Sequence, residues 1–160
     1  MAPQLWLLRH GDAVPHDSKP DDERELTPRG RRQADAAGAA LAAVSEEFSA
    51  CYSSPKVRAW QTAELACSHL NVEPIAESSL ADGFSRVDAL ALLDAHGADA
   101  KVLVVGHEPS FSQVVYDFTG GRMDFKKGGI AAIRASRSSG ELLLLERPKE
   151  IEALAEALQR

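Results

Sequence analysis

Gln4-Leu5-Trp6-Leu7-Leu8-Arg9-His10-Gly11 is a short apolar run that ends on a charged turn. A run of this length, stopped by a turn signal, predicts a buried strand. Two later stretches repeat the arrangement. Residues 48–53 lead into Ser54-Pro55, and Lys101–Gly106 leads into His107-Glu108-Pro109. A helical pattern follows each. After the first, Thr27 is a candidate cap with Pro28 at the first helical position, and Ala34, Ala37, Leu41 and Val44 make one apolar stripe. After the second, Ser54-Pro55 starts a helix that turns Val57, Trp60, Cys67 and Leu70 inward. After the third, Pro109 opens a helix through Phe118, and Gly120-Gly121 ends it. A further helix over residues 87–96 is anchored by Leu90 and Leu93.

Strands alternating with helices predict an α/β fold, a three-layer α/β/α sandwich with a mainly parallel central sheet. Runs at Ile130–Ala135 and 142–146, separated by Ser136-Arg137-Ser138-Ser139-Gly140, predict a C-terminal antiparallel hairpin added to that sheet. A last helix after Pro148 is expected to bury Ile151, Leu154 and Leu158. The acidic stretch 17–25, interrupted by Pro20, reads as an exposed loop.

The 160 residues suit a single domain, 1–160, with 44% hydrophobic and 26% charged residues. That balance excludes wholesale disorder and a disulfide-stapled miniprotein. The formal charge of −6 gives no global basic bias, so neither nucleic acid nor a membrane surface is expected as a partner. Cys51 and Cys67 form no knuckle or disulfide pattern and read as small buried side chains. The N-terminal run is too short for a secretory leader or a span, so a cytoplasmic location is expected.

The polar residues carry the functional signal. Arg9-His10-Gly11 follows the first strand, Ser53-Ser54-Pro55 with Arg58 the second, and Gly106-His107-Glu108 the third. Parallel strands end on one edge of a sheet, where ligands bind. Two arginines and two histidines would gather there, aided by the N-termini of the helices that begin near Pro55 and Pro109. Singly, each has an ordinary explanation as a surface or loop residue. Jointly, in a chain of net negative charge, they call for an anion such as phosphate.

Leu8-Arg9-His10-Gly11 resembles the signature of the histidine phosphatase superfamily, also called phosphoglycerate-mutase-like. The likeness extends through Leu26-Thr27-Pro28-Arg29-Gly30, then Ser53-Ser54-Pro55 with Arg58 and Gln61-Thr62-Ala63, and then Gly106-His107-Glu108-Pro109. The short chain and the form Arg9-His10-Gly11-Asp12-Ala13 are most similar to the SixA-like phosphohistidine phosphatases. The resemblance implies that His10 is a nucleophile that becomes phosphorylated, and that Arg9, Arg58 and His107 hold the phosphoryl group. It implies no metal and no cofactor. A neutral imidazole is nucleophilic near neutral pH, and arginine forks match phosphoryl oxygens. A protonated His107 would add positive charge in the transition state.

The superfamily's general-acid position corresponds here to Ser79-Leu80-Ala81-Asp82-Gly83, which makes Asp82 a candidate and Asp12 and Glu108 its rivals. Asp-Gly is also an ordinary turn pair. Ser53 is a further candidate for substrate contact, and Ser54 for capping the following helix. Lys126-Lys127-Gly128-Gly129 reads either as the lining of the entrance or as a solvated turn. His16, His69 and His96 fall outside the strand-end set. The implied reaction is dephosphorylation of phosphohistidine on a protein. A small-molecule phosphomonoesterase and a phosphate-recognition module without turnover are the alternatives.

Overall fold

β1 (Gln4–Arg9) sends Leu5 and Leu7 to one face of the sheet and Trp6 and Leu8 to the other, and all four are buried. Burial on both faces is the mark of a central strand covered by helices on each side. The computed structural model describes residues 2–44 and 47–159. After β1 come α1 (Pro28–Val44), β2 (Ala50–Ser53), α2 (Val57–Cys67), β3 (Pro74–Ala76), α3 (Arg86–Asp94) and β4 (Lys101–Gly106). They are followed by α4 (Ser110–Thr119), β5 (Ile130–Ala135), β6 (Gly140–Glu146) and α5 (Pro148–Leu158). The six strands form a sheet of order β3-β2-β4-β1-β5-β6. β1 to β4 are mutually parallel, and the β5–β6 hairpin adds antiparallel to β1. The expected three-layer sandwich and its C-terminal hairpin are both present.

Leu5 and Leu7 pack with Leu93 of α3 and with Phe111, Val114 and Phe118 of α4. Trp6 and Leu8 pack with Leu41 of α1, Ala63 of α2 and Ile151 of α5. Each fully buried leucine of this kind is worth roughly 1.5–3 kcal/mol of transfer free energy.

Local signals hold at two helix ends and fail at α2. Its cap position is Lys56, without a side-chain bond, so Ser54 does not cap it and accepts from Lys56 N just before the helix. Thr27 Oγ1 accepts from Gly30 N at 3.1 Å and caps α1. Gly120, with φ 75°, ends α4 in the left-handed region that favours glycine. Cys51 and Cys67 are buried free thiols.

Helix faces hold less well. α2 begins at Val57, and it buries Arg58, Ala59, Thr62, Ala63, Ala66 and Cys67, leaving Val57 and Trp60 only partly covered. In α1 Val44 is 58% exposed. α5 buries Ile151 and Ala155, whereas Leu154 and Leu158 face solvent, contrary to expectation. β3 is an unforeseen three-residue edge strand. A single 3-10 turn, Asp21–Glu23, lies inside the acidic stretch.

Candidate active site

The strand register sets the site. Arg9 lies opposite Gly106 in the β1–β4 ladder, and Ser53 opposite Val105 in the β2–β4 ladder. All three strands therefore end at the same level, and the turns that follow them meet. His10 N donates to Gly106 O at 3.0 Å, and Ser54 N to Val105 O at 2.9 Å. The His10 and His107 rings are 5.1 Å apart between centroids.

The His10 turn is held from every side. Gly11 N donates to Thr62 Oγ1 at 3.1 Å, and Asp12 N to Gln33 Oε1 at 2.8 Å. Gly128 N reaches both the Arg9 and His10 carbonyls at 3.0 Å. Gly11 and Gly30 sit in close contact: a Cβ on Gly30 would fall 2.0 Å from Asp12 O, and one on Gly11 2.6 Å from Gly30 O. Only glycine permits this approach of the turn to α1.

His10 is buried, and its Nδ1 lies 2.7 Å from the Gly11 carbonyl. A carbonyl only accepts, so Nδ1 carries the proton and Nε2 keeps its lone pair. Burial pushes the imidazole well below its ordinary value; the Gly11 carbonyl opposes this, while His107, Arg58 and Arg9 add to it. The ring is neutral.

His107 Nε2 is 2.8 Å from Ser54 Oγ, which also accepts from Lys56 N at 3.2 Å. Burial first, then Arg58 and Lys56, lower His107 to about 4, with Asp21 and Asp82 opposing. His107 is thus neutral at pH 7 in the absence of a phosphoryl group. Arg9 Nε, Arg58 Nε and His107 Nδ1 are all buried and have no hydrogen-bond partner in the protein. Buried polar nitrogens are rarely left unpaired, so these three are candidates for holding a ligand's oxygens.

Arg58 NH1 donates to Asp21 O at 2.8 Å, and NH2 to Asp21 Oδ2 at 3.3 Å. Asp21 also pairs with Lys56 at 3.3 Å and Arg24 at 3.1 Å. Burial raises the Asp21 carboxyl, but Arg58, Lys56 and Arg24 outweigh it and hold the group at about 2. The acidic stretch is therefore not merely an exposed loop: Arg24 is buried, and Asp21 caps Arg58.

Of the candidate carboxylates, Asp82 is 86% exposed and accepts from Lys56 Nζ at 3.2 Å. Glu108 is bound to Ser112, accepting from its N at 2.8 Å and from its hydroxyl. Asp12 accepts from Thr27 Oγ1 at 2.8 Å. Ser53 is fully buried, with its hydroxyl donating to Ser54 O at 3.0 Å, so Ser54 is the serine that meets His107. His69 and His96 pair with Asp35 and Tyr52, and His16 is 86% exposed.

Lys56 and Asp21 went unmarked in the sequence. Lys56, two residues before Arg58, had a weak signal as a cation beside a strand end; Asp21 had none. Among the described residues no group of three or more His, Cys, Asp or Glu side chains could hold a metal ion, and no helix is long and apolar enough to cross a membrane.

The sequence model of the Histidine phosphatase superfamily (branch 1) matches residues 5–90. An uncharacterized protein of Picosynechococcus sp. is 32% identical over 160 residues, covering 91% of this chain and 97% of its own. The structure of the protein histidine phosphatase SixA complexed with tungstate matches with a TM-score of 0.76 and 26% identity, over 92% of this chain and 99% of that one. The alpha-ribazole phosphatase of Shigella flexneri shares the fold, with a TM-score of 0.69 and 20% identity over 91% of this chain and 96% of that one. With the matched residues including the His10 turn and Arg58, the chain belongs to the histidine phosphatase superfamily, as a phosphatase of its SixA-like branch.

Proposed function

We propose that this chain, acting as one domain in the cytoplasm, removes phosphate from phosphohistidine carried by a protein, through a phosphorylated His10 and without a metal. The observation that carries the reading is the Nδ1 contact of His10 with Gly11 O, which leaves Nε2 unprotonated in the neighbourhood of Arg9, Arg58 and His107, each with one buried nitrogen that has no partner in the protein. The Nε2 lone pair attacks phosphorus, and the bond from phosphorus to the leaving nitrogen breaks. Arg9, Arg58 and His107 hold the phosphoryl oxygens as charge redistributes. Water then attacks phospho-His10, releasing phosphate and restoring the imidazole. SixA itself has been seen in complex with tungstate, a tetrahedral oxyanion.

A phosphohistidine whose distal ring nitrogen is already protonated departs as neutral imidazole, with the electron pair of the broken bond left on the nitrogen that bore phosphorus, and it needs no proton from a protein acid. That fits Asp82, the proposed proton donor at the rim, being exposed and paired with Lys56. Ser53, sealed under the site, serves only to support Ser54.

The test is to incubate wild-type protein and His10→Ala, in EDTA, with a phosphohistidine peptide and with an aryl phosphate, and to trap the phosphoenzyme by acid-free quench. The wild type is expected to turn over the peptide in chelator and to carry phosphate on His10. His10→Ala is expected to lose at least about a thousandfold in kcat while remaining folded. A chelator-sensitive wild type, or phosphate trapped on another residue, overturns the mechanism. Activity on the aryl phosphate with none on the peptide assigns the small-molecule phosphomonoesterase reading instead.

A further inference from the structure

Beside the site, on the Arg9 side, lies a cavity of about 620 Å³ lined by Arg9, Arg29, Lys126, Lys127, Arg147 and Lys149. Asp12 is the one carboxylate in its lining. Asp124 pairs with Lys126 at 2.7 Å and Glu150 with Arg147 at 3.2 Å, and counting these two acids the groove keeps three net positive charges. The whole chain carries −6, so the groove stands out against its own surroundings.

The placement of these cations runs against local stability. Arg29 and Lys149 occupy the first turns of α1 and α5, where the helix dipole favours acids by roughly 0.3–1 kcal/mol per charge. Neither has an ion-pair partner among the described residues. Breaking a local rule twice at one groove is the pattern of a surface kept for binding. The groove is also joined to the chemistry. Arg9 belongs to both, its NH1 donates to Phe125 O at 2.6 Å, and the lysine turn is bonded through Gly128 N to the Arg9 and His10 carbonyls.

Resting on the phosphatase reading above, we infer that this groove receives acidic side chains flanking the phosphohistidine of the protein substrate. The cations stand on four separate segments, Arg29, Lys126, Lys127, Arg147 and Lys149 are exposed, Arg9 is half-buried, and Gln33 alone in the lining is buried. Such a surface attracts an acidic stretch by field and loose pairing, and it lacks the fixed polar groups that would select one small molecule.

The test compares wild type with the double variant Arg29→Glu/Lys149→Glu on three probes: a phosphohistidine peptide with aspartates and glutamates on both flanks, the same peptide with serines and glycines there, and an aryl phosphate. Both changes put acids in helix first turns, which favours folding. The wild type is expected to prefer the acidic peptide by about tenfold or more in kcat/KM at low salt. The variant is expected to lose that preference while hydrolysing the aryl phosphate as the wild type does. A wild type equally active on both peptides, or a variant slowed equally on both, overturns the groove assignment and leaves the phosphohistidine reading standing. A wild type active on the aryl phosphate but on neither peptide overturns both. If the double variant loses the aryl activity, Lys126→Glu alone is compared with the salt dependence of the wild-type preference, which is expected to vanish near about 0.5 M. A preference insensitive to salt and to Lys126→Glu overturns the proposal.

Discussion

The two walls of the proposed phosphoryl site differ in how their cations are balanced. On the Arg58 wall, Lys56, Arg58 and Arg24 share Asp21, and Lys56 also meets Asp22 and Asp82. On the Arg9 wall, six cations face one lining carboxylate. Arg58 is therefore held by a neutralising lattice before any phosphate arrives, whereas the Arg9 side presents net positive charge to solvent. One wall offers geometry and the other offers attraction.

The comparison breaks most sharply at Arg58. Arg58→Ala removes a charge-assisted donor from the site and leaves Asp21 paired with Arg24 and Lys56. A loss of about a hundredfold to a thousandfold in kcat is expected on both the peptide and the aryl phosphate. Arg58→Lys should recover little of it, because an ammonium cannot reproduce the fork. Steady-state rates with folding verified by circular dichroism check this.

His107 sharpens the comparison through pH. Its folded-state value of about 4 lies below the ordinary 6.5, so between those values the unfolded chain binds a proton that the folded chain refuses. Stability is therefore highest above about pH 6.5 and falls as pH drops towards 4, by on the order of 2–3 kcal/mol from this group. Asp21 acts in a separate window. Its depressed carboxyl contributes stability above its unfolded value near about 4, and that contribution is lost as pH falls through about 2. Urea denaturation of His107→Gln across pH is expected to show a flatter profile between about pH 6.5 and 4 than the wild type.

Asp21→Asn tests the neutralised wall alone. Its carboxylate competes with a substrate oxyanion for Arg58, so the variant is expected to bind tungstate several-fold more tightly, about threefold to tenfold. Isothermal titration reads this directly, and an unchanged affinity would mean that Asp21 only supports the loop. The smallest effect belongs to Asp82→Asn. Turnover of the phosphohistidine peptide is expected to stay within about threefold of wild type, and slowing is expected to appear only with an alkyl phosphate, whose basic leaving group needs a proton. Single-turnover phosphorylation of His10 by the two substrates decides it.

That Arg9, His10, Arg58 and His107 come to one edge of the sheet was legible because three of them sit at or just beyond a strand end and Arg58 in the first turn of the helix that follows β2, and parallel strands bring such positions together. Ser54 was half legible: its place before Pro55 announced a turn, but not its contact with His107. Asp21 could not be read, because it lies 37 residues before Arg58 and in a stretch whose composition looks like solvated loop. The basic groove was equally hidden. Arg29, Lys126 and Lys149 come from three distant segments, and a net charge of −6 masks them.

Local chemistry in the chain was enough to set the alternation of strands and helices, the caps at Thr27 and Gly120, and the gathering of Arg9, His10 and His107 at the strand ends. Those features depend on residues a few positions apart. Tertiary packing decided the rest. α5 turns Ile151 and Ala155 inward rather than Leu154 and Leu158, because a helix with several apolar faces buries the one its neighbours can cover. His107 is neutral because the fold surrounds it with Arg58 and Lys56 and shields it from water, and proton affinity is a property of that enclosure rather than of the residue.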